Sequence, residues 1–180
     1  MSIELVGLLC TVRPWRASDA ASLVRHANNL DVASQLRDRF PHPYTRGDAH
    51  AFLKLAAVPQ LPTNLAIDVD GEAAGAIGYV PGRDVERYSA EIGYWLGEAL
   101  WGRGIATEAL VLATEYVFSS VNMLRLFALP FADNLGSIRV LEKAGYVREG
   151  LLQSSSVKFG QPRDQYIYAV INRHWRGAAG

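Results

Sequence analysis

The sequence predicts an α/β (α+β) fold with helices flanking one mixed sheet, and three observations carry the prediction. Apolar alternation with period two interchanges with helical periodicity along the whole chain. From Gly104 to about Ser119, Ile105, Ala109, Leu112, Ala113, Tyr116 and Val117 recur at helical spacing, with Glu108 and Glu115 on the polar side. Asp70-Gly71 interrupts two β-prone runs and supplies a tight hairpin turn. Hairpins combined with long helical connections give a mixed sheet rather than a doubly wound parallel one. At 180 residues the chain suits a single domain spanning residues 1–180.

The elements follow in order. "LVGLLCTVRPW" reads as a first strand, and "RASDAASLVRHANN" as a helix capped by Ser18 or Asp19, with Ala20, Leu23, Val24 and Ala27 on one face. "TRGDAHAFLKLAAV" gives a second helix closed before Pro59, and "NLAIDVDGEAAGAIGYV" gives the hairpin. "RYSAEIGYWLG" makes a strand with Glu91, Gly93 and Trp95 on one side and Ile92, Tyr94 and Leu96 on the other, ended by Gly97. After the long helix, "MLRLFALPF" is a strand whose far end Pro130 removes from regular pairing, and "ADNLGSIRVLEKAGY" is a helix stopped by Gly145. "VREGLLQSSSV" and "RDQYIYAVIN" are the closing strands. The short Pro-rich stretches "FPHPYT" and "VPQLPT" are loops within the domain.

Composition excludes several function classes. Basic and acidic residues both number 18, and the arginines, 15 against three lysines, form no basic run, so no field favours nucleic acid or anionic membrane. That arginine excess is a coding habit of GC-rich bacterial genomes. No apolar segment reaches the roughly 20 residues of a membrane span, and "MSIELVGLLCTVRPW" lacks the flanks of a secretory signal. Cys10 is the only cysteine, which excludes an internal disulfide and fits a cytoplasmic protein; Leu8 and Leu9 beside it favour a buried, inert thiol. His26, His50 and His174 show no metal-ligand spacing, so no metal is expected.

"WGRGIATEAL", residues 101–110, places Gly102 and Gly104 at the mouth of the long helix, although glycine weakens a helix by up to about 1 kcal/mol. A P-loop needs a different spacing and a lysine. A dinucleotide fingerprint needs a third glycine where Thr107 stands, and "EAL" separates these glycines from the strand. The remaining ligand reading is a phosphate or pyrophosphate held on helix-start amides bared by glycine, helped by the helix dipole and Arg103. Against it stands simple close packing at the helix start.

Together, "WGRGIATEAL" and "NLGSIRVLEKAGY" resemble the GNAT acetyltransferase superfamily, and "VRPWRASDAASL", "RDRFPHPYT" and "RDQYIYAV" resemble its ribosomal-protein N-acetyltransferase (RimJ/RimL) branch, so that nearly the whole chain is covered. The resemblance implies a mostly antiparallel sheet splayed between its fourth and fifth strands. It implies acetyl-CoA as co-substrate, held by the stretch from Trp101 through Gly102, Arg103, Gly104, Ile105 and Ala106 to Thr107. Backbone at Tyr94, Trp95 and Leu96 would lie beside pantetheine, which Asn134 would also meet, and Arg139 and Lys143 would approach the adenosine phosphates. One departure is that Trp101 stands where the family commonly has Gln or Arg.

Acetyl transfer from a thioester to an amine needs a neutral amine, a donor to the developing oxyanion and a donor to the leaving thiolate. A backbone N–H near Tyr94 and Trp95 fits the oxyanion. Glu91 is the carboxylate of the strand that would flank the thioester and is the candidate base; its alternative is a strand-edge ion pair, for instance with Arg87. Many superfamily members carry a tyrosine acid seven residues after the motif asparagine, where this chain has Leu141. Ser137 is the replacement candidate, against a plain capping role for it and Asn134. Phe40, His42 and Tyr44 in "RDRFPHPYT", with Tyr166 and Asp164, are candidates for the acceptor site, and Phe40 and Tyr44 equally for core anchors. The expected acceptor is a protein N-terminal α-amine. A polyamine or aminoglycoside, a non-catalytic acyl-CoA sensor and, more distantly, a nucleotide-binding oxidoreductase are the alternatives, and the sequence leaves monomer and homodimer both open.

Overall fold

The computed structural model describes residues 3–57 and 63–177, so most of the "VPQLPT" loop lies outside the described residues. Eight strands form one sheet in the order β1-β2-β3-β4-β5-β6-β8-β7. The strands are β1 (Leu5–Val6), β2 (Thr11–Arg13), β3 (Asn64–Val69), β4 (Glu72–Pro81), β5 (Ser89–Leu96), β6 (Arg125–Ala128), β7 (Val147–Lys158) and β8 (Gln161–Ile171). The helices are α1 (Ala20–Ala27), α2 (Leu30–Ser34), α3 (Arg46–Ala56), α4 (Ile105–Ser120) and α5 (Leu135–Lys143). Every neighbouring pair is antiparallel except β5 and β6, which run parallel. Asp70 and Gly71 turn the β3–β4 hairpin at φ 53° and 87°, as the sequence predicts.

The expected first strand is instead two. β1 and β2 fold back on each other, with Leu5 opposite Val12 and Val6 opposite Thr11. The cause lies nearly 100 residues away: Glu108, in the first turn of α4, accepts the backbone N–H groups of Leu8 (2.9 Å), Leu9 (2.7 Å) and Cys10 (3.0 Å). Those amides cannot also serve a strand ladder. A Cβ at Gly7 would stand 2.4 Å from the Glu108 carboxylate, so the turn needs that glycine. Glu108 is therefore no idle member of a polar face.

Asp19 stands at the N-cap of α1, one of the two positions the sequence offers, but its side chain does not cap that helix. Asp19 ends a 3-10 turn (Ala17–Asp19), and its carboxylate accepts from the Arg16 N–H (2.8 Å) and from two nitrogens of Arg13 (2.8 and 3.0 Å). Arg13 also donates through Nε to Asp68 at 2.7 Å. All three charged side chains are buried, and a guanidinium so enclosed requires both carboxylates. The short helix α2 was not predicted; Asn29 caps it by accepting the Val32 N–H at 3.0 Å.

The sheet separates two cores. On one face Val12, Leu65, Ile67, Ile77, Ile92 and Leu126 meet Ile105, Ala109, Leu110 and Val117 of α4 and Leu141 of α5. On the other, Leu23, Ala27, Tyr44, Ala49 and Leu53 pack with Trp15, Phe40, Phe52 and Trp95. Residues of β5 alternate between these faces, so Tyr94 points toward α5 and Trp95 toward Phe40. Cys10 is buried, as the sequence predicts, and burial, reinforced by Glu108, pushes its thiol up to about 12.

Candidate active site

The parallel pairing of β5 with β6 spans only Ser89–Glu91 against Arg125–Phe127. Beyond it the strands part, and Pro130, past the end of β6, turns its carbonyl to the Tyr166 N–H at 3.0 Å. The gap removes ladder partners from one edge of β5. The Gly97 N–H donates to the Ala74 carbonyl at 2.8 Å, which fixes the phase of the antiparallel β4–β5 register. Residues 93 and 95 therefore turn their amides and carbonyls to β4, whereas Tyr94, past the last β5–β6 pair, turns both of its groups into the gap.

A cavity of about 810 Å³ passes through this opening. On one side it meets the start of α4 and the exposed face of α5; on the other it reaches Asp31, Ser34, Gln35 and Arg37 around α2. Of the residues singled out in the sequence, Glu91, Tyr94, Trp95, Leu96, Trp101, Gly102, Gly104, Ile105, Ala106, Thr107, Asn134, Ser137, Arg139 and Lys143 line it together.

The helix-start glycines have a geometric reason. Gly102 and Gly104 adopt φ 76° and 85°, and Gly104 stands at the N-cap of α4 in the left-handed conformation, with no side chain capping the helix. Glu108, the acidic residue of that first turn, is committed to the Leu8–Cys10 turn. Burial pushes its carboxyl up, but the three amides and the Cys10 thiol outweigh this and hold it below the ordinary range. The first amides of a 16-residue helix thus face the cavity with their partial positive charge unanswered by a side-chain cap, which suits a phosphate-bearing ligand. The Trp101 indole N–H donates to the Leu96 carbonyl at 2.7 Å, so it is spent within the protein. Arg103 is exposed and lies outside the lining, leaving the charge at the distal side to Arg139 and Lys143, one helical turn apart on α5.

At the centre, the Tyr94 hydroxyl lies 2.9 Å from Ser137 Oγ and 3.1 Å from the Ser137 carbonyl. Burial pushes the Tyr94 phenol well above its ordinary value, with the Ser137 contact opposing in part, so it stays protonated. Asn134 accepts the Ser137 N–H at 3.0 Å and thereby caps α5. Leu141, seven residues after Asn134, is wholly buried in the core. Across the sheet, Glu91 is paired with Arg37 rather than Arg87, and a Cβ on Gly93 would meet nothing within 4 Å, so space stands open between Glu91 and Trp95.

Five expected acceptor residues lie outside the lining, among them Asp164, which is exposed and accepts the Ser154 N–H at 2.7 Å. Tyr44 is a core anchor: its ring is buried against Phe40 and the α1–α3 layer, and burial, with Asp48 adding to it, pushes its hydroxyl up to about 12. Phe40 lies between Tyr44, tilted to it, and Trp95, which it meets edge-on, supporting the cavity wall from behind. His42 is exposed in the loop, and Tyr166 packs edge-on to Tyr168 with Arg148 over its ring. The lining residues in their place are Asp31, Ser34, Gln35 and Arg37, on and after the unpredicted α2. Asn29 was the one local signal for that helix, since Asn is a preferred cap.

The fold and this cavity define a class: the chain belongs to the acetyltransferase (GNAT) domain family, whose model matches residues 10–147. It is 36% identical over 94 residues to an N-acetyltransferase, p20, of Bacillus licheniformis, covering 52% of this chain and 53% of that protein. It is 29% identical over 171 residues to spermidine N(1)-acetyltransferase of Escherichia coli K12, covering 91% and 87%. Its structure is similar to that of Mycobacterium smegmatis RimJ in complex with CoA-disulfide, with a TM-score of 0.81 and 25% identity over 98% of this chain and 88% of that one. The chain spans about half the length of the first curated relatives it matches.

Proposed function

We propose that this protein is an acetyl-CoA-dependent N-acetyltransferase in which a primary amine attacks the thioester directly, with no covalent enzyme intermediate. The observation that carries the reading is the cavity through the β5–β6 gap, with uncapped helix amides on one side and Glu91 on the other. The residues fit the co-substrate: amides at Gly104–Thr107 would hold the pyrophosphate, Arg139 and Lys143 the adenosine phosphates, and the edge of β5 the pantetheine arm. Acetyl-CoA supplies an activated acetyl group on a good leaving sulfur. The Tyr94 N–H, free of the ladder, is placed to donate to the oxyanion, and the Ser137 hydroxyl to the sulfur. Glu91 takes the amine proton, with Arg37 holding the carboxylate in place.

The acceptor we favour is a protein or peptide N-terminal α-amine. On that side of the cavity Asp31 and Glu91 bring two negative charges and Arg37 one positive, engaged with Glu91, which suits a single cation better than an extended polycation. The resemblance of the chain to the ribosomal-protein N-acetyltransferase (RimJ/RimL) branch supports the same choice. A polyamine acceptor is the second reading, favoured by the likeness to spermidine N(1)-acetyltransferase over 91% of the chain. Thermal unfolding with acetyl-CoA, CoA, NADH and ATP in parallel, followed by thiol-release assays with N-terminal peptides and with spermidine, tests all of this. A ligand at about 100 times its Kd adds roughly 2.7 kcal/mol and raises the midpoint by several degrees. Stabilisation by CoA and acetyl-CoA with turnover of peptides is expected. Faster turnover of spermidine would replace the acceptor, CoA binding without turnover of any amine would make the protein a sensor, and stabilisation by NADH alone would refute the proposal.

A further inference from the structure

The Ser137 side chain stands at the second position after the start of α5, where its backbone N–H is already taken by Asn134. Its hydroxyl has one proton and two acceptor directions. A serine in such a place usually returns that proton to a backbone carbonyl of its own helix. Here a second hydroxyl intervenes: Tyr94 reaches from β5 across the gap to 2.9 Å from Ser137 Oγ.

Tyr94 is held by burial in its protonated form, so it always brings a donor. The other oxygen it meets, the Ser137 carbonyl at 3.1 Å, lies inside α5 and faces the helical partner four residues on. When Tyr94 donates to Ser137 Oγ, the serine proton cannot point back at the phenol and is left for the cavity both residues line. Negative charge arising in the cavity favours this orientation of both dipoles, because aligned hydroxyls polarise one another.

We infer that Tyr94 is a positioning residue, whose phenol aims the Ser137 hydroxyl at the sulfur of CoA; this rests on the reading of Ser137 in the proposed function. As the C–N bond forms and the C–S bond breaks, the electron pair stays on sulfur and the Ser137 O–H donates a hydrogen bond to it. The amine proton leaves through Glu91, and Tyr94 keeps its own proton throughout.

Calorimetric titration of the wild type, Tyr94→Phe and Ser137→Ala with CoA and with desulfo-CoA, from pH 7 to pH 9, tests the inference without turnover. A donor aimed at sulfur makes the wild type prefer CoA, increasingly as pH passes the ordinary thiol range near 8.5. Both variants should lose this preference to within about 2-fold, while retaining affinity for desulfo-CoA. In steady-state assays each variant should lower kcat by about 10-fold with KM for acetyl-CoA little changed, and the double variant should be no worse than the poorer single, as for groups acting in series. Ser137→Ala leaves the Tyr94 bond to the carbonyl available, so it carries the comparison even where Tyr94→Phe weakens the fold. Loss of the sulfur preference in Ser137→Ala but not in Tyr94→Phe overturns the role of Tyr94 alone. An unchanged preference in Ser137→Ala overturns the serine reading beneath it, whereas equal weakening toward both ligands with a lowered thermal midpoint reduces the pair to a tie between β5 and α5.

Discussion

Replacing Glu108 with alanine tests whether the folded-back N-terminus depends on one carboxylate. The substitution removes three charge-assisted hydrogen bonds, to the amides of Leu8, Leu9 and Cys10. Such bonds are worth about 1.5–3 kcal/mol each when enclosed. Leu8 is 98% exposed and Leu9 48%, so water replaces most of what is lost at those two amides, while Cys10 is buried. The net cost is about 2–3 kcal/mol, or a fall of roughly 4–12 °C in Tm for a chain of this length. Glu108→Gln keeps one accepting oxygen and should cost about half as much. Because the native carboxyl is held below its ordinary value, the contribution is present above the unfolded pKa of about 4.3 and is lost as pH falls through the lower native one. Wild type and Glu108→Ala should therefore differ in calorimetric Tm at pH 7 and converge in strong acid. Equal midpoints at pH 7, or a difference that does not narrow as pH falls below the unfolded value, would refute the reasoning.

The remaining predictions concern the core, the thiol and the helix start. Arg13→Met strands Asp19 and Asp68 in the interior and should cost about 3–5 kcal/mol in urea unfolding; restoring neutrality with Asp19→Asn and Asp68→Asn should recover part of it. Cys10, buried with its thiol raised, should resist alkylation at pH 8 in the native protein and react readily in denaturant, followed by mass spectrometry. Gly104→Ala forces a side chain into φ 85° with Leu9 Cδ1 at 3.3 Å, at about 1–2 kcal/mol of backbone strain, and should weaken CoA binding more than Gly102→Ala, whose added Cβ meets nothing within 4 Å. Thermal shifts with CoA rank the two.

Much of the fold was legible because its signals are local. The β3–β4 turn, the period of α4 and the stop of α5 at Gly145, φ 84°, each rest on residues a few positions apart. The gap was legible through family resemblance and the local break at Pro130, since β5 itself, losing its neighbour partway along, looks the same in sequence as a strand that keeps it. The split of β1 from β2 was not, because the group that causes it is about 100 positions downstream. Tyr94 was singled out for its backbone, whereas its hydroxyl matters through a contact with Ser137 that alternation along β5 permits but does not announce. The acceptor side was least legible: the aromatic residues of "RDRFPHPYT" look like a binding surface, yet burial claims Tyr44, and the lining comes from polar and charged side chains around α2.

The three-pair junction between β5 and β6 makes the sheet two pieces sewn along a short seam. β1 to β5 form a meander whose every partner is a sequence neighbour among the strands, and α4 follows directly, so this part can assemble before the rest of the chain has left the ribosome. β6 finds its antiparallel partner only when β8 arrives, with Leu126 opposite Val170. A backbone cut between Ser120 and Arg125 should therefore yield fragments that each keep their own strand pairings and rejoin through α4, α5 and the seam. Whatever fills the opening beyond Glu91 acts as a suture for that reassembly, and slowed exchange of the Tyr94 amide would report that the suture is in place.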